Sequence, residues 1–122
     1  MTESTGPTDA GVVIVRRAGE LDLARTPELR EALLGPIRAG ARGVVADLTE
    51  TTYCDSTVFS VLVEAHREAT ARNVPYAIAA EETAVHRPLQ ILGLDALLPL
   101  HPGLDAAQAA VAGRPLRPRE TA

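Results

Sequence analysis

The sequence contains no lysine and no tryptophan, and a single cysteine, Cys54. One cysteine cannot form an internal disulfide, which fits a reducing cytoplasm. Two tyrosines and one phenylalanine make up the aromatic content, so any core must be built from Leu, Val, Ile and Ala. All 12 basic residues are arginine, no basic run occurs, and the formal net charge is −4. Phosphate backbones are bound by clustered Lys and Arg, so direct binding to nucleic acid is disfavoured. No apolar stretch approaches the length of a membrane span, and the N-terminus lacks the apolar segment of a signal peptide. A Gly-rich phosphate loop is missing, and His66, His86 and His101 have no metal-ligand spacing with Cys54 or one another. No catalytic constellation, metal site or cofactor is therefore expected.

What is present begins with Gly43 to Arg72. Gly43-Val44-Val45-Ala46-Asp47-Leu48 is a short apolar run rich in β-branched residues, as in a strand buried on both faces. Asp47 is expected at the strand's end, accepting hydrogen bonds from a loop. Thr49 to Cys54 reads as a polar turn. Asp55, Ser56 and Thr57 can each cap a helix. Beyond them Val58, Val61, Leu62, Ala65 and Ala69 recur at the three-and-four spacing of one apolar helix face. A hydroxyl thus sits where a helix begins, and that end offers unpaired N–H groups and a positive dipole to an anion.

At 122 residues and 46% hydrophobic content the chain suits one soluble domain. Residues 10–113 are expected to form it, with 1–9 and 114–122 as flexible tails. Val12 to Val15 opens a strand, and Gly19 to Leu23 adds a second short strand or a bend, pairing antiparallel with it at one side. Thr26-Pro27-Glu28 starts a helix with a hydroxyl cap, and Gly35-Pro36 should interrupt that helix. Tyr76 to Ala80 is a strand. Thr83 to Leu92 is a short helix, regular from about Val85 or His86 because of Pro88 and stopped by Gly93. Leu97 to Leu100 is an edge strand and Leu104 to Ala112 a last helix. Alternation of strands and helices predicts an α/β fold: a mainly parallel sheet of four to five strands with about four helices.

The run Asp47-Leu48 followed by Tyr53-Cys54-Asp55-Ser56-Thr57, with Gly19-Glu20-Leu21-Asp22 upstream and Leu92-Gly93-Leu94 downstream, resembles the STAS domain family, specifically bacterial anti-sigma factor antagonists. The richness in Ala, Arg and Pro suggests a high-GC bacterium. The resemblance implies that Ser56, with Thr57 as second choice, is phosphorylated by a partner that is both anti-sigma factor and serine kinase. It also implies partner switching that regulates transcription, with Glu20, Asp22, Asp55, Ser56, Thr57 and Val58 as the switch surface. Val58 and Ser60 depart from the family pattern, which has glycines there. From the residues alone, Glu20 and Asp22 serve equally well as turn residues. A STAS scaffold that works without phosphorylation, in a stress-signalling or transport assembly, is the alternative function. Self-association is left open, and an enzyme is disfavoured.

Overall fold

The computed structural model describes residues 3–8, 10–80 and 85–112. Five strands form one sheet in the order β1-β2-β3-β4-β5. They are β1 (Ser4–Pro7), β2 (Val12–Leu21), β3 (Gly43–Cys54), β4 (Tyr76–Ala80) and β5 (Leu100–His101), with helices α1 (Thr26–Arg38), α2 (Ser56–Arg72), α3 (Arg87–Ile91) and α4 (Leu104–Ala112) between and after them. Only β1 runs antiparallel, beside β2; the other pairs are parallel. The α/β class expected from the sequence is the one found.

Strand β3 is the centre. Val44, Ala46 and Leu48 face the main core with α1 and α2, where Leu33, Leu34, Leu62, Ile78 and Leu89 are buried. Val45 faces the other way, toward Val12, Ala77, Ala79, Ala107 and Val111 beneath α4. That two-sided burial is what the continuous apolar run of a parallel strand requires.

Several expectations are corrected. Residues 4–7 are not a loose tail but strand β1, in register from Ser4 opposite Arg16 to Pro7 opposite Val13. The other proposed tail, 114–122, lies outside the described residues. Thr49 to Cys54 is not a turn, because β3 continues through it; Ala18 pairs with Glu50 and Leu21 with Cys54. Here the neighbouring ladder, and not an apolar pattern, specifies the strand. The separate second strand is absent, since β2 runs unbroken to Leu21, absorbing irregularities between Arg16 and Ala18 and between Gly19 and Glu20. Asp47 consequently sits in mid-strand. Its carboxylate does accept from Thr49 N and Oγ1, at 3.1 and 2.7 Å, and from Arg16 Nε at 2.7 Å.

Helix α1 passes through Gly35-Pro36 without interruption. Buried Leu29, Leu33, Leu34 and Ile37 hold it on the core, which offsets the lost bond and the crowding that Pro36 imposes on the preceding turn. Thr26 is its first residue and not its cap; Arg25 precedes it with no side-chain cap bond. Helix α3 keeps its Pro88 in the first turn, as expected. It stops at Leu92, and Gly93 follows at φ +75°. The last strand is reduced to Leu100–His101, with Pro99 just ahead of it.

Candidate functional site

The site grows from the junction of β3 and α2. Asp55, at φ −68° and ψ 156°, is the N-cap, and its Oδ1 accepts from Thr57 N at 2.9 Å. The Asp55 amide in turn donates to Leu21 O at 2.9 Å, tying the helix start to the end of β2. Ser56 is the first helical residue and is exposed. Among the described residues its hydroxyl has no hydrogen-bond partner within the chain. Thr57 is different. Its half-buried Oγ1 lies 2.8 Å from Thr26 Oγ1 and 3.1 Å from Asp55 Oδ1. Each hydroxyl has one proton and two acceptors in reach, Asp22 O and Thr57 Oγ1 for Thr26, Asp55 Oδ1 and Thr26 Oγ1 for Thr57, so either threonine can donate across the 2.8 Å contact. The two threonines thereby link the first turns of α1 and α2, and two adjacent hydroxyls acquire opposite availabilities.

The sequence-derived residues sort accordingly. Asp55, Ser56 and Thr57 come together as expected. Asp22 contributes its carbonyl to the threonine link, while its carboxylate caps the short 3₁₀ turn Leu23–Arg25 by accepting from Ala24 N at 3.1 Å. Glu20 is exposed at the end of β2, in register with Tyr53. The turn role weighed for this acidic pair thus belongs to Asp22. Val58 does not belong to any surface: its side chain is fully buried among the core residues. The β-branched group therefore points inward, away from any docking partner.

Sequence reasoning missed the neighbourhood of Ser56. A groove of about 590 Å³ runs along the outer flank of α2, where Ser56, Phe59, Ser60 and Val63 face Leu92 and Leu94. Leu92 is 58% exposed and Ile91 79%. The sequence signal there is Leu92-Gly93-Leu94, which counts toward the family resemblance and whose Gly93 reads as a helix stop. Leu23, in the 3₁₀ turn after β2, and Tyr53, near the end of β3, are also exposed beside the site. The acids along this flank are already paired. Arg30 grips Glu64 with two bonds, 2.9 and 2.6 Å, and Glu68 accepts from Arg72 at 2.7 Å. These hydrogen bonds hold the Glu64 and Glu68 carboxyls below their ordinary range.

Nothing beside Ser56 is arranged for bond-making chemistry among the described residues. Cys54 is buried, and desolvation pushes its thiol up to about 12, far from a reactive thiolate. Burial likewise raises the Tyr76 phenol. His66 stands 6.3 Å from the Tyr76 ring at the far end of α2. No group of three or more His, Cys, Asp or Glu could hold a metal ion among the described residues. No helix there is long and apolar enough to cross a membrane.

Comparison with known proteins places this geometry. The family model described as STAS domain matches residues 5–107. The anti-sigma-F factor antagonist RsfB of Mycobacterium tuberculosis is 27% identical over 103 residues, covering 84% of each chain. An anti-sigma factor antagonist from Mycobacterium paratuberculosis superposes with a TM-score of 0.80 at 28% identity, covering 91% of this chain and 92% of the other. The Bacillus cell fate determinant SpoIIAA in its phosphorylated form shares the fold, with a TM-score of 0.66 at 18% identity over 80% of this chain and 87% of the other.

Proposed function

This chain belongs to the STAS domain family, and from that premise we propose that it is an anti-sigma factor antagonist switched by phosphorylation of Ser56. Unphosphorylated, it docks on a partner that is both anti-sigma factor and serine kinase, and so releases a sigma factor. The partner supplies ATP and magnesium. The observation that carries the reading is the Ser56 hydroxyl, exposed on the first residue of a 17-residue helix and next to an apolar groove. The positive end of the helix dipole tolerates a phosphate. Thr57 is the weaker candidate because its hydroxyl is committed to Asp55 and Thr26.

A phosphate on Ser56 brings about −1.5 to −2 charges. It would stand beside Asp55, at the end of the sheet that also carries Glu20 and Asp22. Docking would then have to desolvate that charge against the apolar groove, which weakens the complex. The groove offers Phe59, Val63, Leu92 and Leu94 as contact surface. Val58 is not part of it.

The test is a titration of wild type, Ser56→Ala and Ser56→Asp against the cognate anti-sigma factor/kinase, with phosphosite mapping after incubation with ATP. Ser56→Ala should bind within a few-fold of wild type, and Ser56→Asp at least about tenfold more weakly. Both should fold with stability within about 0.5 kcal/mol of wild type, because Asp55 is the cap and Ser56 is exposed. Phosphate on Thr57 would keep the mechanism and change the residue. Equal affinities with no phosphate on either hydroxyl would favour the phosphorylation-independent scaffold.

A further inference from the structure

Strand β1 is held to the domain in an unusual way. None of Ser4, Thr5, Gly6 and Pro7 enters either core cluster. Its attachment is a short antiparallel ladder with β2 and a set of charged contacts. Strand β2 runs on past its last β1 partner, Arg16, so the outer-edge backbone groups of Ala18 and Glu20 have no strand beside them. Glu3 and Arg25 satisfy them. The Ala18 amide donates to Glu3 Oε2 at 3.1 Å, and Arg25 Nη1 donates to Ala18 O and Glu20 O, both at 3.1 Å. Arg25 Nη2 donates to the same Glu3 oxygen. The Glu3 carboxylate therefore sits in a cradle of one backbone N–H and one guanidinium, fixed in place by two carbonyls. One residue along, buried Arg17 donates to Ser4 O at 3.0 Å while its other nitrogens grip Glu28 at 3.1 and 2.6 Å. An open surface depression of about 240 Å³ adjoins this end of the strand, lined by Glu3, Ser4, Thr5, Arg17 and Glu28.

We propose that residues 3–7 are an exchangeable strap and that the cradle they fill is a carboxylate-binding site for an extended acidic peptide. When the strap lifts, the outer edge of β2 presents unpaired N–H and C=O groups to an incoming strand. The Ala18 amide and Arg25 then select a strand with an acid at the position of Glu3. Arg17 stays pinned by Glu28 and offers the same nitrogen to the incoming backbone. The strap's advantage over such a peptide is its tether, equivalent to a millimolar effective concentration, and not apolar contact. Arg25 also immediately precedes Thr26, so occupancy of the cradle bears on the start of α1. The inference stands independently of Ser56.

The experiment uses the full chain, isotope-labelled for NMR, as wild type and Glu3→Gln. The probes are a capped peptide with the sequence of residues 2–8 and the same peptide with glutamine for glutamate. In Glu3→Gln the amides of the β1–β2 ladder should exchange about tenfold faster, the loss of a charged hydrogen bond, while β3–β4 amides stay unchanged. Arg25→Gln should reproduce that pattern. The glutamate peptide at millimolar concentration should then shift the Ala18 amide resonance of the Glu3→Gln chain, more than wild type, and the glutamine peptide about tenfold less. Unchanged ladder protection in both variants would overturn the strap. Equal binding of the two peptides, or of neither, would overturn the carboxylate site.

Discussion

Single residues at the β3–α2 junction differ sharply in what they can do although they are neighbours in sequence. Asp55 is spent on the cap and Thr57 on the link to Thr26, while the Ser56 hydroxyl has no partner among the described residues, which is what leaves it available. Cys54, one residue earlier, is closed off by burial, and this has a measurable consequence. Its folded pKa is about 12 against an ordinary 9.0, because the buried thiolate is poorly solvated. A raised pKa contributes stability that is fully present below the unfolded value and is lost as pH rises through the folded one. Between those two values the unfolded chain releases a proton that the folded chain keeps. Urea melts from about pH 8 to about pH 11 should therefore show wild-type stability falling more steeply than that of Cys54→Ala. The difference should approach about 1.4 kcal/mol per pH unit above the ordinary thiol value. Tyr76 adds an alkaline loss of the same sign to both proteins, so the comparison isolates Cys54. Parallel slopes would mean that the thiol is not buried in solution.

At the scale of elements, packing overrides local rules in α1 and β3. Gly35-Pro36 breaks a helix on propensity alone, yet four buried aliphatic residues on one face carry α1 through it. Gly35 itself is exposed in the helix interior, and a Cβ there would meet nothing within 4 Å apart from its chain neighbours and its own helix backbone, but Pro36 is one of those neighbours. Gly35→Ala should leave stability within about 0.5 kcal/mol of wild type, because the roughly 0.5–1 kcal/mol gained from backbone entropy is opposed by crowding of the new Cβ against the Pro36 ring. A thermal melt showing the full gain would mean that the new Cβ clears the Pro36 ring. Helix α2 needs no such rescue, having an aspartate cap at its start and Asn73 in the left-handed conformation, at φ 58°, at its end. Both ends of that helix were legible in the sequence, because capping is a local interaction.

For the whole molecule the decisive feature is a sheet covered unequally on its two faces. Helices α1 to α3 cover one side with large aliphatic residues, while α4 covers the other with a small cluster around Val12, Val45 and Val111. Helix α4 can approach closely because Gly43 is bare; a Cβ there would lie 3.0 Å from Val111 Cβ. Gly43→Ala should therefore lift α4 and cost about 1–3 kcal/mol, the usual range for overpacking. Combining it with Val111→Ala should cost less than the sum of the two single changes, because that change removes Val111 Cγ2, which would lie 3.1 Å from the new Cβ. Denaturant melts of the four proteins measure this coupling, and strict additivity would show that α4 does not sit on Gly43.

By itself the sequence determined the α/β class, the doubly buried run from Gly43 to Leu48, the helix that starts at Ser56 and the resemblance to a STAS domain. These rest on periodicity, caps and motif residues, which act within a few positions along the chain. Tertiary structure alone decided that Thr49 to Cys54 is strand, that residues 4–7 are strand, and that Val58 points inward. A polar segment becomes a strand only when a partner offers it a ladder, as β2 does for β3 and for β1. Likewise, the direction of a side chain at a helix start depends on where the sheet lies beneath it. The groove beside Ser56 and the cradle of Glu3 each bring together residues more than a dozen positions apart. No local pattern encodes such meetings, because the fold's crossovers set those distances.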